Sequence, residues 1–322
     1  MSSETMDMVI DAVVAAREDQ AAGIAVFELA RADGGPLPAF EAGAHIDVHV
    51  ADGLVRQYSL CNAPGAVERY RIGVLDDPNS RGGSRAIHRD FAVGTAVRIS
   101  APRNHFPLHG QAEKSVLVGG GIGVTPMLAM AYALRAAGKA FELHYCSRSR
   151  DRAGFLDELA TAFPDQLHLH FDDGDAAQRF DPKVCFGAQP GGAQVYVCGP
   201  SGFMDWVIAE AKAAGYDSGR IHYEYFNATV DTHGTAFEVV AKRSGVTLQV
   251  AEDQTILDAL AKAGIKVKKS CEQGVCGTCL CDVLEGTPDH KDKFLNEEER
   301  ADNDQIVVCC SRSKSPRLVL DI

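Results

Sequence analysis

From residue 8 to about 108, apolar positions recur in short runs of strand length: "VIDAVVAAR", "IAVFELAR", "HIDVHV", "RQYSL", "RYRIGVL" and "AVRISAP". Breakers such as "ADGGPLP", "NAPG" and "DDPNSRGGS" separate them. Short alternating runs at this spacing predict an antiparallel barrel or sandwich over residues 1–108. The pattern changes over 109–226. "SVLVGG", "FELHYCS", "LHLHFDD" and "AQVYVCGP" read as buried strands, while "TPMLAMAYALRAAGKA", "AGFLDELATAF" and "GFMDWVIAEAKAAG" carry a helical period. Strands alternating with helices predict an α/β domain with a parallel sheet. The polar stretch "NATVDTHGTA" (227–236) lacks periodicity and reads as a linker. Residues 237–322 then offer a hairpin, one amphipathic helix, a cysteine loop and closing strands, a small α+β unit. There is no internal repeat.

Length agrees with this partition, since 322 residues suggest two or three domains. Apolar residues at 46% and charged residues at 24% are the proportions of a chain with real cores. The net charge of −12 argues against a general binder of nucleic acid or anionic membrane. No apolar stretch approaches the ~20 residues of a membrane span. The start "MSSETMDMVIDAVVAARED" is acidic where a signal peptide would be basic, so a cytoplasmic location is expected. In that reducing setting ten cysteines are ligands or buried thiols rather than disulfides.

Four of the ten fall in "SCEQGVCGTCLCDVLEG" and two more at Cys309 and Cys310. Cys271, Cys276 and Cys279 form C-x4-C-x2-C, the plant-type spacing for a [2Fe–2S] cluster, with a fourth cysteine farther on. Gly274 and Gly277 between them suit a loop that wraps closely around its ligand. A structural zinc would show a second C-x2-C pair or nearby histidines. Cys281 fits no ligand spacing and reads as a small buried thiol. Neighbours on a strand point to opposite faces, so only one of Cys309 and Cys310 can face a cluster; spacing leaves the choice open.

In "SVLVGGGIGVTPMLAM", Gly119, Gly120, Gly121 and Gly123 stand between strand and helix. Thr125 is expected as the N-cap and Pro126 at the first helical position, aiming free N–H groups at the glycine loop as an anion site. "VYVCGP", with Cys198, Gly199 and Pro200, ends another strand at the same sheet edge, where open α/β sheets bind ligands. Ser147, Arg148 and Arg150 in "HYCSRSR" could accommodate a 2′-phosphate, or form only a solvated basic loop.

These segments together resemble the phthalate dioxygenase reductase-type and vanillate demethylase-type reductases of the ferredoxin–NADP reductase superfamily. The resemblance spans nearly the whole chain, in the order flavin barrel, nucleotide domain and C-terminal β-grasp ferredoxin. It implies that "CCSR" supplies Cys309 as fourth ligand, with Cys310 its outward neighbour. The glycine turn would face the pyrophosphate, and Cys198–Pro200 would lie near the nicotinamide. "RQYSL" looks like the R-x-Y-S flavin motif: Arg56 would hold a phosphate, Tyr58 lie beside the isoalloxazine and Ser59 reach its edge. "NSRGGS" would be its partner, with Gly82 and Gly83 permitting close approach and Ser84 bonding a phosphate oxygen. Phe226, in "YEYF", is the aromatic that relatives present to the flavin. The implied cofactors are FMN, a [2Fe–2S] cluster and NADH; the implied partner is a Rieske-type oxygenase. A cytochrome P450 or another acceptor is the alternative, as is a preference for NADPH.

Overall fold

The computed structural model describes residues 8–51 and 53–322, in two units that divide between Glu224 and Tyr225. The first unit begins with β1 (Val9–Ala21), β2 (Ile24–Arg31), β3 (Leu37–Phe40), β4 (Ala44–Ala51), β5 (Leu54–Ser59), β6 (Gly65–Val67) and β7 (Arg69–Leu75). Helix α1 (Gly83–Asp90), β8 (Ala96–Ser100) and β9 (Arg103–Asn104) follow. The main strands pair antiparallel in the order β5-β4-β8-β1-β2-β7, and a bridge from Leu60 to Ile72 links the two ends into a barrel. The alternation in "VIDAVV" decides which side faces in: Ile10, Ala12 and Val14 are buried, whereas Val9 and Asp11 are exposed. Phe27, Leu29, Ile46, Tyr70, Ile72 and Ile99 fill the interior. Burying a side chain of this size stabilises by about 1.5–3 kcal/mol, so a one-residue slip would be costly. Helix α1 departs from the all-strand expectation. Gly82, at φ +94°, turns the chain out of the breaker segment, and Ile87 and Phe91, four apart, then bury against the barrel.

The parallel part comprises β10 (Lys114–Gly120), α2 (Val124–Ala136), β11 (Phe141–Ser147), α3 (Leu156–Ala162), β12 (Leu167–Phe171), α4 (Pro182–Gly187), β13 (Ala193–Gly199), α5 (Ser201–Ala213) and β14 (Ile221–Tyr225). Its sheet order is β12-β11-β10-β13-β14, with β10 paired parallel to β11 and β13. Apart from Lys114, every residue of β10 is buried, as an apolar run covered on both faces should be. Alternation along β11 sends Phe141 toward Phe163 after α3, and His144 toward Cys185 of α4.

The second unit contains β15 (Phe237–Ala241), β16 (Val246–Val250), α6 (Ile256–Lys262), β17 (Leu280–Glu285), β18 (Pro288–Asp289), α7 (Glu297–Asp302), β19 (Gln305–Val307), β20 (Arg312–Ser313) and β21 (Arg317–Leu320). The mixed sheet runs β16-β15-β21-β17-β19, and Ile256, Leu257 and Leu260 of α6 enter its core. The segment 227–236, read as a linker from its polarity, is tied to this unit. The buried Arg312 guanidinium donates to Thr232 O at 2.6 Å and Thr235 O at 3.1 Å, and Lys291 Nζ donates to Asp231 O and His233 O. Composition could not show this, because the partners are backbone carbonyls recognised from far along the chain. Among the described residues, no helix is long and apolar enough to cross a membrane.

Candidate functional site

Strand β5 carries the first group of predicted residues. Arg56 and Tyr58 share one face by alternation, while Ser59 points to the other and is buried. The Arg56 guanidinium donates to Val55 O at 2.8 Å and Arg81 O at 3.3 Å. This places it against the start of α1, where a Cβ on Gly83 would lie 2.5 Å from Arg56 Cγ. No side chain caps α1, so its first N–H groups sit beside a guanidinium, a cradle suited to a phosphate. Ser84 Oγ accepts from Asp77 N at 3.4 Å, closing the loop back on itself.

At the end of β5, Ser59 Oγ donates to Glu224 Oε2 at 3.5 Å. Glu224 was not a sequence candidate: in "YEYF" the aromatic Phe226 drew the assignment, and the charge at a half-buried strand position was the signal that could have found it. Burial pushes the Glu224 carboxyl up from 4.5 to about 8, opposed by its Ser59 hydrogen bond. His45 lies 3.8 Å away and is held neutral, lowered to about 3 by burial and then by His105 and Arg103. Both His45 ring nitrogens are buried without a hydrogen-bond partner, a gap that a ring with polar edges would satisfy. The Cys198 thiol is raised chiefly by burial, and ionisation of the nearby Glu224 would raise it further. Sequence positions 45, 59, 198 and 224 thus converge into one group that carries little charge at neutral pH.

Glu224 gives a test of this environment. Its raised pKa contributes stability that is complete below about pH 4.5 and is lost as pH rises through about 8. E224Q is neutral throughout. We expect the melting temperature of E224Q relative to wild type to increase between pH 5 and pH 9. An offset that stays constant across that range would refute the buried, protonated carboxyl.

The glycine turn differs from expectation at its helix start. Helix α2 begins at Val124 with Gly123 in the N-cap position, so Thr125 is not the N-cap and Pro126 is the third helical residue. Thr125 Oγ1 instead donates to Ile122 O at 2.9 Å. Pro126 is still tolerated, because the N–H groups of the first turn have no intrahelical acceptor. The glycines mainly permit backbone contact: a Cβ on Gly123 would meet Cys198 O at 2.3 Å, and one on Gly120 would meet Phe203 at 2.8 Å. Gly199 also packs on Gly120, whereas Gly121, at φ +54°, opens outward with nothing near it; Gly119 rests on Val124. The two strand ends carrying Gly119–Gly123 and Cys198–Pro200 therefore meet at one edge. Ser147 is buried at the end of β11, and Arg148 and Arg150 are exposed. Backbone N–H groups of Asp172 and Asp173 donate to Ser147 O and Arg148 O, bringing two acidic residues to that loop.

In the second unit the cysteine loop winds through left-handed turns at Glu272, Gly274 and Gly277. The sulfurs of Cys271 and Cys276 are in contact, as are those of Cys279 and Cys309, and Cys271 also reaches Cys309. These contacts lower Cys271 and Cys279 while raising Cys276 and Cys309, and four sulfurs gathered in this way are a soft donor set suited to iron or zinc. The backbone N–H of Gln273 donates to Cys271 Sγ at 3.3 Å. Among the described residues, no three of these sulfurs lie mutually within 4.8 Å. One tetrahedral zinc, with bonds near 2.3 Å, would need all four at about 3.8 Å. The sulfurs instead run as an open chain of contacts, Cys276–Cys271–Cys309–Cys279.

Cys309 and Cys310 overturn the strand argument. They follow β19 in a turn, and both are buried, so Cys310 is not an outward neighbour. The Cys310 sulfur packs where a Cβ on Gly274 would sit, lies 3.7 Å from Val307 O and touches Cys309. Cys281 is half-buried on β17 and its thiol faces Cys279 O at 3.7 Å. Phe226 follows β14 at the start of this unit and is half-buried.

Comparison with known proteins agrees with this assembly. Residues 239–314 match the profile of the 2Fe-2S iron-sulfur cluster binding domain, and residues 97–221 that of the dimethylamine monooxygenase subunit DmmA-like N-terminal domain. The chain is 50% identical over 316 residues to vanillate O-demethylase oxidoreductase of Pseudomonas sp. (strain HR199 / DSM 7063), covering 97% of this chain and 100% of that one. Phthalate dioxygenase reductase, described as a modular structure for electron transfer from pyridine nucleotides to [2Fe-2S], superposes with a TM-score of 0.74 at 41% identity over 98% of both chains. The chain belongs to the phthalate dioxygenase reductase family. As a phthalate dioxygenase reductase-type protein it is an oxidoreductase working through flavin and a [2Fe–2S] cluster. It is also similar to an intact type IV self-sufficient cytochrome P450 monooxygenase (TM-score 0.87, 40% identity), covering 98% of this chain and 41% of that longer one.

Proposed function

We propose that this reductase takes electrons from NADH and passes them through FMN and [2Fe–2S] to a Rieske-type oxygenase. The observation that carries this reading is the meeting of Ser59, Cys198 and Glu224, which brings the flavin motif and the nucleotide motif to one place in a chain that also holds the cysteine quartet. When bound, the flavin exchanges a two-electron hydride for single electrons, and the cluster accepts one at a time. The chain's residues position these groups. Arg56 and the start of α1 hold the flavin phosphate, Ser84 lies within the same loop, and Tyr58 offers an aromatic face. Glu224 keeps a proton on its carboxyl beside Ser59 Oγ at neutral pH, which avoids a buried negative charge where hydride must arrive. The glycine turn and Cys198–Pro200 form the sheet edge for the dinucleotide. Cys271, Cys276, Cys279 and Cys309 ligate the cluster.

NADH is favoured over NADPH by the acidic pair Asp172 and Asp173 beside Ser147 and Arg148, since carboxylates accept a ribose hydroxyl and repel a 2′-phosphate. Likeness to a P450 monooxygenase supports haem proteins as a second class of acceptor. Anaerobic titration with NADH is expected to bleach first flavin and then cluster absorption. NADPH should need at least about tenfold more, corresponding to ~1.4 kcal/mol. If NADH bleaches neither chromophore, the reading fails. Mixing the reduced protein with a Rieske oxygenase or a P450 then decides between acceptors by which one oxidises it faster.

A further inference from the structure

On the face of the parallel sheet that packs against α4, a group of ligand-type side chains lies outside the electron-transfer groups described above. His144 and His168 pair directly across β11 and β12, and their rings stack at 4.7 Å. Glu142 and His170 stand two residues along the same strands and therefore on the same face. One ligand atom each from Glu142, His144 and His168 lies within 4.8 Å of the others. Cys185 of α4 approaches from above, with its Sγ 3.4 Å from His144 Nε2.

A hydrogen-bond relay fixes the proton of the central histidine. His170 Nδ1 lies 2.7 Å from Gln178 O, a carbonyl that can only accept, so this nitrogen carries the hydrogen. His170 Nε2 is then an acceptor and takes a hydrogen from His144 Nδ1 at 3.1 Å. His144 Nε2 is left with its lone pair, facing Glu142 Oε2 at 3.5 Å and the Cys185 sulfur. His144 is 8% exposed, and in the metal-free protein its Nε2 takes the Cys185 S–H as its donor, the proton a bound cation would displace. Glu142 is itself positioned by Lys114 Nζ at 2.6 Å and Gln189 Nε2 at 2.8 Å. A ring that donates its second nitrogen to a fixed partner is the usual setting of a metal-bound histidine. Bonds of 2.0–2.3 Å at tetrahedral angles put ligand atoms about 3.3–3.6 Å apart. The two separations measured from His144 Nε2 fall in that range.

We propose that Glu142, His144 and His168 form a second metal site, for a zinc-class divalent cation with nitrogen and sulfur preference, and that Cys185, in contact with His144 but outside that 4.8 Å triad, moves in as the fourth ligand. The Cys185 thiol releases its proton to solvent as the metal–sulfur bond forms, and the bound ion ties α4 to β11 and β12. The test uses the full chain with flavin and cluster loaded, titrated anaerobically with zinc chloride by calorimetry, with zinc and iron content measured after desalting. One zinc per chain is expected without loss of iron. H144Q and C185S should each weaken binding by at least tenfold while retaining wild-type flavin and iron. H168Q alters an exposed ring and provides the same test should the buried variants fail to fold. No retained zinc, equal binding by wild type and H168Q, or zinc that enters only as iron leaves would each overturn the site.

Discussion

Replacing Cys309 with Ser should cost the protein its cluster, while the same change one residue later should not. Cys309 reaches both Cys271 and Cys279, so its loss would remove one of the four sulfurs that would hold the cluster. Changes beyond the ligands themselves typically cost 10–100-fold in metal affinity, and loss of a ligand should exceed that. In C309S, iron content should fall below about a tenth of wild type, and electron delivery to a protein acceptor should fall at least about 100-fold. Reduction of the flavin by NADH should persist. C310S keeps a small polar group beside Val307 O, in the space next to Gly274. It should retain the cluster, with a stability change of about 1 kcal/mol or less. The measurements are iron analysis and the electron paramagnetic resonance signal of the reduced protein. Loss of iron in C310S with retention in C309S would reverse the assignment.

The second large effect lies at the flavin cradle. Arg56→Ala removes the guanidinium beside the uncapped start of α1, and a charge-assisted contact of this kind contributes about 1.5–3 kcal/mol. Flavin should then dissociate roughly 10- to 150-fold more readily. Gly83→Val should act in the same direction without touching the charge, because even a Cβ there would sit 2.5 Å from Arg56 Cγ. Iron content should be unchanged in both, since the cysteines belong to the other unit. Flavin release followed by fluorescence checks this, and wild-type retention in both variants would remove Arg56 from the site.

Much of this molecule follows from local sequence alone. Period-two runs set the barrel strands and their buried faces, as in Ile10, Ala12 and Val14, because every second side chain must leave water. Alternating apolar runs and helical periods established the parallel sheet. The spacing of Cys271, Cys276 and Cys279 marked a loop that could wrap a cluster, and spacing is a property of the chain itself. Other features depend on residues distant in sequence, and only folding decided them. Thr125 looks like a helix cap in isolation, but Gly123 must press against Cys198 O, and that contact starts the helix earlier. Cys309 and Cys310 seemed separable by strand alternation; the turn after β19 buries both, and contact with other sulfurs distinguishes them. Polarity suggested a free linker at 227–236, yet Arg312 holds its carbonyls from some eighty residues away. His45 and the group around His144 carry no local signature, and Glu224 only a charge inside a strand run. Their chemistry comes from burial and from neighbours on other strands, quantities that exist only once the chain has folded.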